Sequence, residues 1–256
     1  MPDSPNHIPN SPQSNSPAFM GCKLTPAIDA DDIDVVISGI PWDQTTTGRT
    51  GARFGPAGIR KASAHLAWEL RRWPWDFCVF DVLGVIDWGD LSLDSAEINQ
   101  ITPEIQQHAA HILQADKTML TFGGDHYISL PLLREHAQKY GPLALVQFDA
   151  HTDAEREPGQ YHHGTMFYHA RNEGLIDPGR SVQIGIRTEY IREDHQFTVL
   201  DADWAMAHNA GDILDAVKRV VGDHPAYVTL DIDCLDPGFA PGTGTPVVGG
   251  LSTSLV

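Results

Sequence analysis

The segment Asp149-Ala150-His151-Thr152-Asp153 spaces two carboxylates and an imidazole at every second residue. A strand's side-chain period of two would put Asp149, His151 and Asp153 on one face and turn Ala150 and Thr152 away. Asp231-Ile232-Asp233 repeats the pattern with two carboxylates, and Gly123-Gly124-Asp125-His126 offers an imidazole just past a flexible diglycine. Asp149, Asp153, Asp231 and Asp233 would bring four negative charges to one rim. Without compensation they would repel one another, resist desolvation and shift towards protonation. Two divalent cations bring such a site close to neutral. Sharing six ligands between two metals requires bridging carboxylates, which a facing pair such as Asp149 and Asp231 could provide. A set rich in oxygen, with two imidazoles and no thiolate, favours Mn²⁺ over a structural Zn²⁺ site and leaves Zn, Co and Fe open. A lone Asp at a strand end is most often a cap or turn residue, and a lone His a satisfied polar group. Three such motifs at the strand ends of one sheet are not explained as separate turns.

The elements that would position these groups are legible in the apolar pattern. Val35 to Pro41, Val85 to Trp88, Lys117 to Phe122, Leu143 to Phe148, Val182 to Ile186 and Ala226 to Ile232 read as strands, the last three apolar on both faces. Pro56 to Arg72, Ser95 to Ala115, Pro131 to Lys139 and Ala210 to Val221 read as helices, the first with proline at a favoured opening position. Doubly apolar strands separated by helices predict an α/β fold: a three-layer αβα domain with a mainly parallel central sheet. Ligands of such sheets bind beyond the carboxyl ends of the strands. Those ends are residues 39–43, 123–126, 149–153 and 231–236, where the polar residues gather.

Bulk composition sets wider bounds. The chain has 256 residues, 41% hydrophobic and 20% charged, a length that one α/β domain over 21–256 accounts for. A formal net charge of -17 disfavours nucleic acid and anionic membrane surfaces as partners and suits a small cationic ligand. Cys22, Cys78 and Cys234 form no C-x-x-C pair and read as reduced, buried thiols of a cytoplasmic protein. No apolar run approaches the roughly 20 residues needed to span a bilayer. Residues 1–20, rich in Pro, Ser and Asn without an apolar core, read as a disordered arm rather than a secretory signal.

Together, Gly123-Gly124-Asp125-His126, Asp149-Ala150-His151-Thr152-Asp153 and Asp231-Ile232-Asp233-Cys234-Leu235-Asp236-Pro237 resemble the three signature blocks of the arginase/agmatinase ureohydrolase family. Ala240-Pro241-Gly242-Thr243-Gly244-Thr245-Pro246 and Gly48-Arg49-Thr50-Gly51, with Gly55-Pro56 and Ile59-Arg60 behind it, agree with that family, and the likeness covers roughly residues 33 to 256. The resemblance implies an arginase-like fold and two Mn²⁺ per chain. One would be held by His126, Asp149, Asp153 and Asp231, the other by Asp149, His151, Asp231 and Asp233. It also implies a proton-handling histidine at His163, chosen over the adjacent His162 because Gly164 follows it, with Asp153 as the group that takes a proton from the attacking water. The implied reaction is hydrolysis of a guanidinium group to urea and an amine, and family members are usually homo-oligomers.

The substrate is read from the turn after Asp153. Arginase-type sequences carry Asn, Ser and Thr there, where they hold an amino-acid head group. Residues 154–161 lack that set and present Glu155 and Glu157, which favour the free ammonium of agmatine. Trp68, Trp73-Pro74-Trp75 and Gly174 to Pro178 also look agmatinase-like. Arginase or guanidinobutyrase activity is the neighbouring alternative. The sequence ends at Val256, and family members continue for about a helix, a strand and a closing helix. The missing strand ends in a guanidinium-gripping glutamate with no match here. A chain without those elements would expose an inner strand, and binding metal without turnover is the third expectation.

Overall fold

The structure, a computed structural model, describes residues 18–68, 71, 75–93 and 95–256. Of the expected arm, 1–17 lie outside the described residues, as do Trp73, Pro74 and the Trp68 side chain. Residues 18–20 are held in place: Ala18 is buried, the Phe19 amide donates to Asp87 Oδ2 (2.8 Å), and the Met20 amide donates to Ser63 Oγ (2.8 Å). The described chain resolves into two compact units, residues up to 43 with 51–125, and 44–50 with 126–256.

The first unit holds strands β1 (Lys23–Leu24), β2 (Val35–Ile40), β3 (Val85–Asp90) and β4 (Thr118–Gly123) in the order β1-β3-β2-β4, all pairings parallel. Val36, Ile37 and Ile40 of the central β2 are fully buried, as befits β-branched residues covered on both faces. Helix α1 (Gly55–Ser63) opens with Pro56 in its first turn. It ends well before the predicted Arg72. Ser63 Oγ donates back to the Arg60 carbonyl (2.8 Å), a local bond that competes with the helical ladder, and 64–68 tighten into a 3₁₀ helix. Helix α2 (Ile98–Gln114) buries Ile101, Ile105, His108, Ala109, Ile112 and Leu113, an amphipathic spacing. Gly124 is required for close approach rather than for flexibility: a Cβ there would lie 2.1 Å from the Trp42 carbonyl oxygen.

The second unit holds α3 (Ser129–Tyr140), β5 (Ala144–Phe148), α4 (Met166–Asn172), β6 (Val182–Ile184), β7 (Thr198–Leu200), α5 (Ala202–Met206), α6 (Ala210–Val221) and β8 (Ala226–Leu230). Its sheet runs β7-β6-β5-β8, again entirely parallel. Helix α6 opens on a capping box between Asn209 and Asp212, and its Ile213 and Val221 pack with Val146, Val182 and Ile184. Strands β6 and β8 stop two residues short of the predicted ends. Gly185 takes φ +94°, and Asp231 caps a 3₁₀ turn at Ile232–Cys234. The short elements β1, β7, α4 and α5 lack the length to register as periodic segments. Among the described residues the pairing of these strands is parallel, in keeping with the mainly parallel sheet expected, and it forms two four-stranded sheets. Strand β8 is not covered on both faces. It pairs only with β5 among the described residues and leaves Val228 65% and Leu230 49% exposed. The three cysteines are free and buried.

Candidate metal centre

Every candidate site residue lies in the second unit, at turns following strands or opening helices. The strand alternation inferred for 149–153 does not hold, because β5 ends at Phe148. The chain instead curls: the His151 amide donates to Asp149 Oδ1 (2.7 Å), and Asp153 adopts φ +48°, a left-handed conformation that Asp tolerates. Asp231 and Asp233 converge in the same manner, the Asp233 amide donating to Asp231 Oδ1 (3.0 Å). His126 opens the 3₁₀ turn His126–Ile128 that leads into α3. The backbone bonds within these turns aim the remaining carboxylate oxygens at one point.

That point lies at His126 Nδ1. Asp153 Oδ2 stands 2.8 Å from this nitrogen, Asp149 Oδ2 3.2 Å and Asp231 Oδ2 3.4 Å. These are ion-pair distances without hydrogen-bond angles, and the buried Nδ1 makes no hydrogen bond. His126 Nε2 lies 2.9 Å from Thr229 Oγ1, and the ring packs edge-on against the buried Phe167 of α4. Nδ1 thus faces three carboxylates at once, an arrangement that a proton satisfies in the cation-free fold and a metal ion would satisfy in its place. His126, Asp149 and Asp153 form one group with metal-binding spacing, and Asp149, His151 and Asp233 form a second. Asp149 belongs to both. Asp231 reaches the first group through Oδ2, 3.4 Å from His126 Nδ1, while its Oδ1 accepts the amide of Asp233, a member of the second.

The electrostatics of the cation-free cluster agree with this geometry. Burial alone would lower both histidines. The adjacent Asp149 and Asp153 hold His126 well above its ordinary value, and Asp149 and Asp233 lift His151 to about 10. Burial, then the Asp149 charge, raises Asp153 well above the carboxylate range. Burial, then Asp149 and Asp233, raises Asp231 to about 7. Asp149 is shifted down despite its burial, because His126 and His151 contact it. Protons therefore occupy the place of cations, and metal binding must release them.

Around this cluster the chain shows the fold and motif spacing of known proteins. The Arginase family pattern matches residues 33–256. The chain belongs to the arginase family. It is 53% identical over 248 residues to an agmatinase of Photorhabdus laumondii, covering 97% of this chain and 80% of that protein. An agmatinase of Serratia proteamaculans is 53% identical over 244 residues, 95% of this chain and 79% of the relative. Among solved structures, a hypothetical agmatinase from Burkholderia thailandensis superposes with a TM-score of 0.91 at 50% identity, covering 98% and 80% of the two chains. The proclavaminate amidino hydrolase of Streptomyces clavuligerus superposes at 0.88 with 39% identity, covering 95% and 82%.

The remaining residues of this arginase-family site take distinct places. His163 Nε2 lies 3.0 Å from Thr47 Oγ1, and its amide donates to Thr45 Oγ1 (3.1 Å). The segment 44–50 thus steadies the ring, while the Arg49 amide donates to the Gly244 carbonyl (3.0 Å). A Cβ on Gly48 would lie 2.3 Å from that carbonyl oxygen, so the Gly48–Thr50 and Ala240–Pro246 blocks meet and the close approach needs glycine. His162 turns instead to Glu157 (3.3 Å) and, with Glu155, forms a partly exposed third group. Sequence reasoning missed Thr229 beside His126, Thr245, which donates to Asp233 Oδ2 (3.1 Å), and Gln147, which donates to Asp149 Oδ2 (2.8 Å). Gln147 carried a signal: it interrupts the apolar run Ala144 to Phe148. Thr245 lay within the family-like block Ala240–Pro246 but without a role of its own, and Thr229, ordinary in a strand, carried no signal.

Proposed function

We propose that this ureohydrolase hydrolyses agmatine to urea and putrescine with two Mn²⁺ ions per chain. His126, Asp149, Asp153 and Asp231 hold one, and Asp149, His151, Asp231 and Asp233 the other. The observation behind this reading is the buried His126 Nδ1, faced by three carboxylate oxygens within 3.4 Å and without a hydrogen bond. The ligand chemistry, oxygen-rich with two imidazoles, supports Mn²⁺. The relatives' agmatinase names support the substrate. The setting we propose is the cytoplasm, in polyamine formation, with the chain as a homo-oligomer and neither nucleic acid nor membrane as partner. No helix among the described residues is long and apolar enough to cross a membrane.

When bound at these residues, the metal pair would supply a water of lowered pKa as the attacking group. Asp153 steadies that water through a carboxylate oxygen and takes its proton. The carbon gains the water's oxygen and loses its bond to the alkyl nitrogen. His163, its ring steadied by Thr47, passes a proton to the departing amine. The substrate cation and one water thus become urea and a primary ammonium. Glu155 and Glu157 attract the far ammonium of agmatine and disfavour the carboxylate of arginine. The test is urea release by the Mn²⁺-loaded protein with agmatine, arginine and 4-guanidinobutyrate side by side. Release from agmatine alone is the expected result; release from arginine at an equal or greater rate would refute the substrate assignment.

A further inference from the structure

Behind the cluster, three polar side chains run through the sheet of the second unit. Gln147 of β5 and Gln183 of β6 are partners in register and both wholly buried, in strands whose other residues are apolar. A buried primary amide must satisfy two N–H groups and a carbonyl oxygen. Gln147 Nε2 donates to Asp149 Oδ2 (2.8 Å) and to the His151 carbonyl (3.2 Å), and Gln147 Oε1 accepts from Gln183 Nε2. Gln183 spends its second N–H on the Thr152 carbonyl (2.7 Å), and its Oε1 lies 2.7 Å from His195 Nε2. This inventory closes in one way only. Both N–H groups of Gln183 face oxygens, so its Oε1 is an acceptor and His195 carries its proton on Nε2. Flipping either amide would set oxygen against oxygen.

We propose that His195, Gln183 and Gln147 form a directional hydrogen-bond relay that orients Asp149 and so positions both metals of the pair. The proposal rests on the reading of Asp149 as a ligand shared by both metals. Each link donates towards the cluster, and the last fixes which Asp149 oxygen is engaged from behind. Asp149 Oδ1 is already taken by the His151 amide, so the carboxylate is held at both oxygens and cannot rotate. The same two amides fasten the His151 and Thr152 carbonyls, which ties down the turn that carries Asp153. His195 anchors the far end. Its ring packs against Tyr190 at 4.6 Å and Phe197 at 5.2 Å between centroids. Burial, reinforced by Arg171, moves His195 down to about 4, so it remains a neutral donor at physiological pH. Neither glutamine touches the point on which the ligands converge, so these are positioning residues.

The test compares wild-type protein with Gln183→Met, His195→Phe and His195→Gln. Each is stripped of metal, checked for folding by circular dichroism, and titrated with Mn²⁺ under electron paramagnetic resonance. Gln183→Met keeps the volume and removes every hydrogen bond. It should weaken Mn²⁺ binding by about 10–100-fold, change the spectrum of the bound pair, and lower kcat while KM for agmatine holds. His195→Phe should weaken binding less, and His195→Gln, which still donates, should stay near wild type. A folded Gln183→Met protein with wild-type affinity and spectrum would overturn the relay. If Gln183→Met fails to fold, His195→Phe decides, since its site is only partly buried: wild-type affinity and spectrum there would also overturn it. Wild-type protein that binds no Mn²⁺ would overturn the metal reading and the relay together; two ions bound by wild type and variants alike would overturn the relay alone.

Discussion

Each compact unit buries carboxylates, and the two do so in opposite ways. In the first unit, Asp87 is fully buried and fully answered. Arg60 grips it with two parallel bonds of 2.8 and 2.9 Å, and the Phe19 and Gly89 amides donate to the same two oxygens. Arg60 also reaches Asp90, and despite its burial these bonds push its guanidinium further up. In the second unit, Asp149, Asp153, Asp231 and Asp233 gather around two histidines, and among the described residues no guanidinium is recorded on their carboxylates: Arg187 bonds the Asp233 carbonyl instead (2.6 Å). A buried acid with its own internal cation is structure. Buried acids neutralised only by protons shared with two imidazoles form a candidate cation site. Counting acidic residues would not separate the two; asking what neutralises each one does.

Substitutions can break that contrast, and the largest effect is expected at Asp149. Asp149→Asn removes the ligand common to both groups, and urea release should fall by more than the ~10–100-fold usual for outer-shell partners. Activity within tenfold of wild type would show that Asp149 is not shared. Asp87→Asn should leave activity per folded molecule intact but destabilise the protein. Breaking a buried ion pair costs about 3–5 kcal/mol, and the lower end is expected because Arg60 keeps Asp90. Asp153→Asn is the counterpart. Its raised folded value means that the charged form is disfavoured without metal, so a neutral amide should leave the metal-free melting temperature at pH 8 unchanged or higher. A metal-free protein clearly destabilised by Asp153→Asn would erase the distinction between the units.

Acidity sharpens the same contrast. Asp231 is raised from 3.8 to about 7 in the metal-free fold, so its contribution to stability is present below about 3.8 and lost as pH climbs through 7. His151, raised to about 10, loses its contribution only at higher pH. Stabilisation by Mn²⁺, measured as the shift in melting temperature between stripped and loaded protein, should therefore grow between about pH 5 and pH 8. A shift independent of pH would mean that no protons leave on binding. The smallest effect is expected from Thr229→Val, which removes the partner of His126 Nε2 and should cost up to about tenfold in Mn²⁺ affinity, measured by titration.

Much of this was visible in the sequence because it depends on local pattern. The parallel strands announced themselves as apolar runs, and α6 was legible over Ala210 to Val221, the range that the structure gives it. The ligand residues were legible as types and spacings, but the reason for their convergence was not. An alternating strand and a curled turn with Asp153 at positive φ share one sequence pattern, and only backbone hydrogen bonds to Asp149 and Asp231 distinguish them. The premature end of α1 depends on a Ser63 hydroxyl that also accepts from Met20, a contact 43 residues away. Long-range partners such as Thr229 for His126 and Gln183 for Gln147 leave no periodic trace. A polar residue within a buried strand was the one available hint.

The most direct test of the account is the number of Mn²⁺ ions that metal-stripped protein binds, and whether they are neighbours. Two ions per chain with an exchange-coupled paramagnetic spectrum, reduced to at most one uncoupled ion by Asp149→Asn, is the predicted result. Two uncoupled ions, or a coupled pair that survives Asp149→Asn, would contradict a centre built around that shared carboxylate.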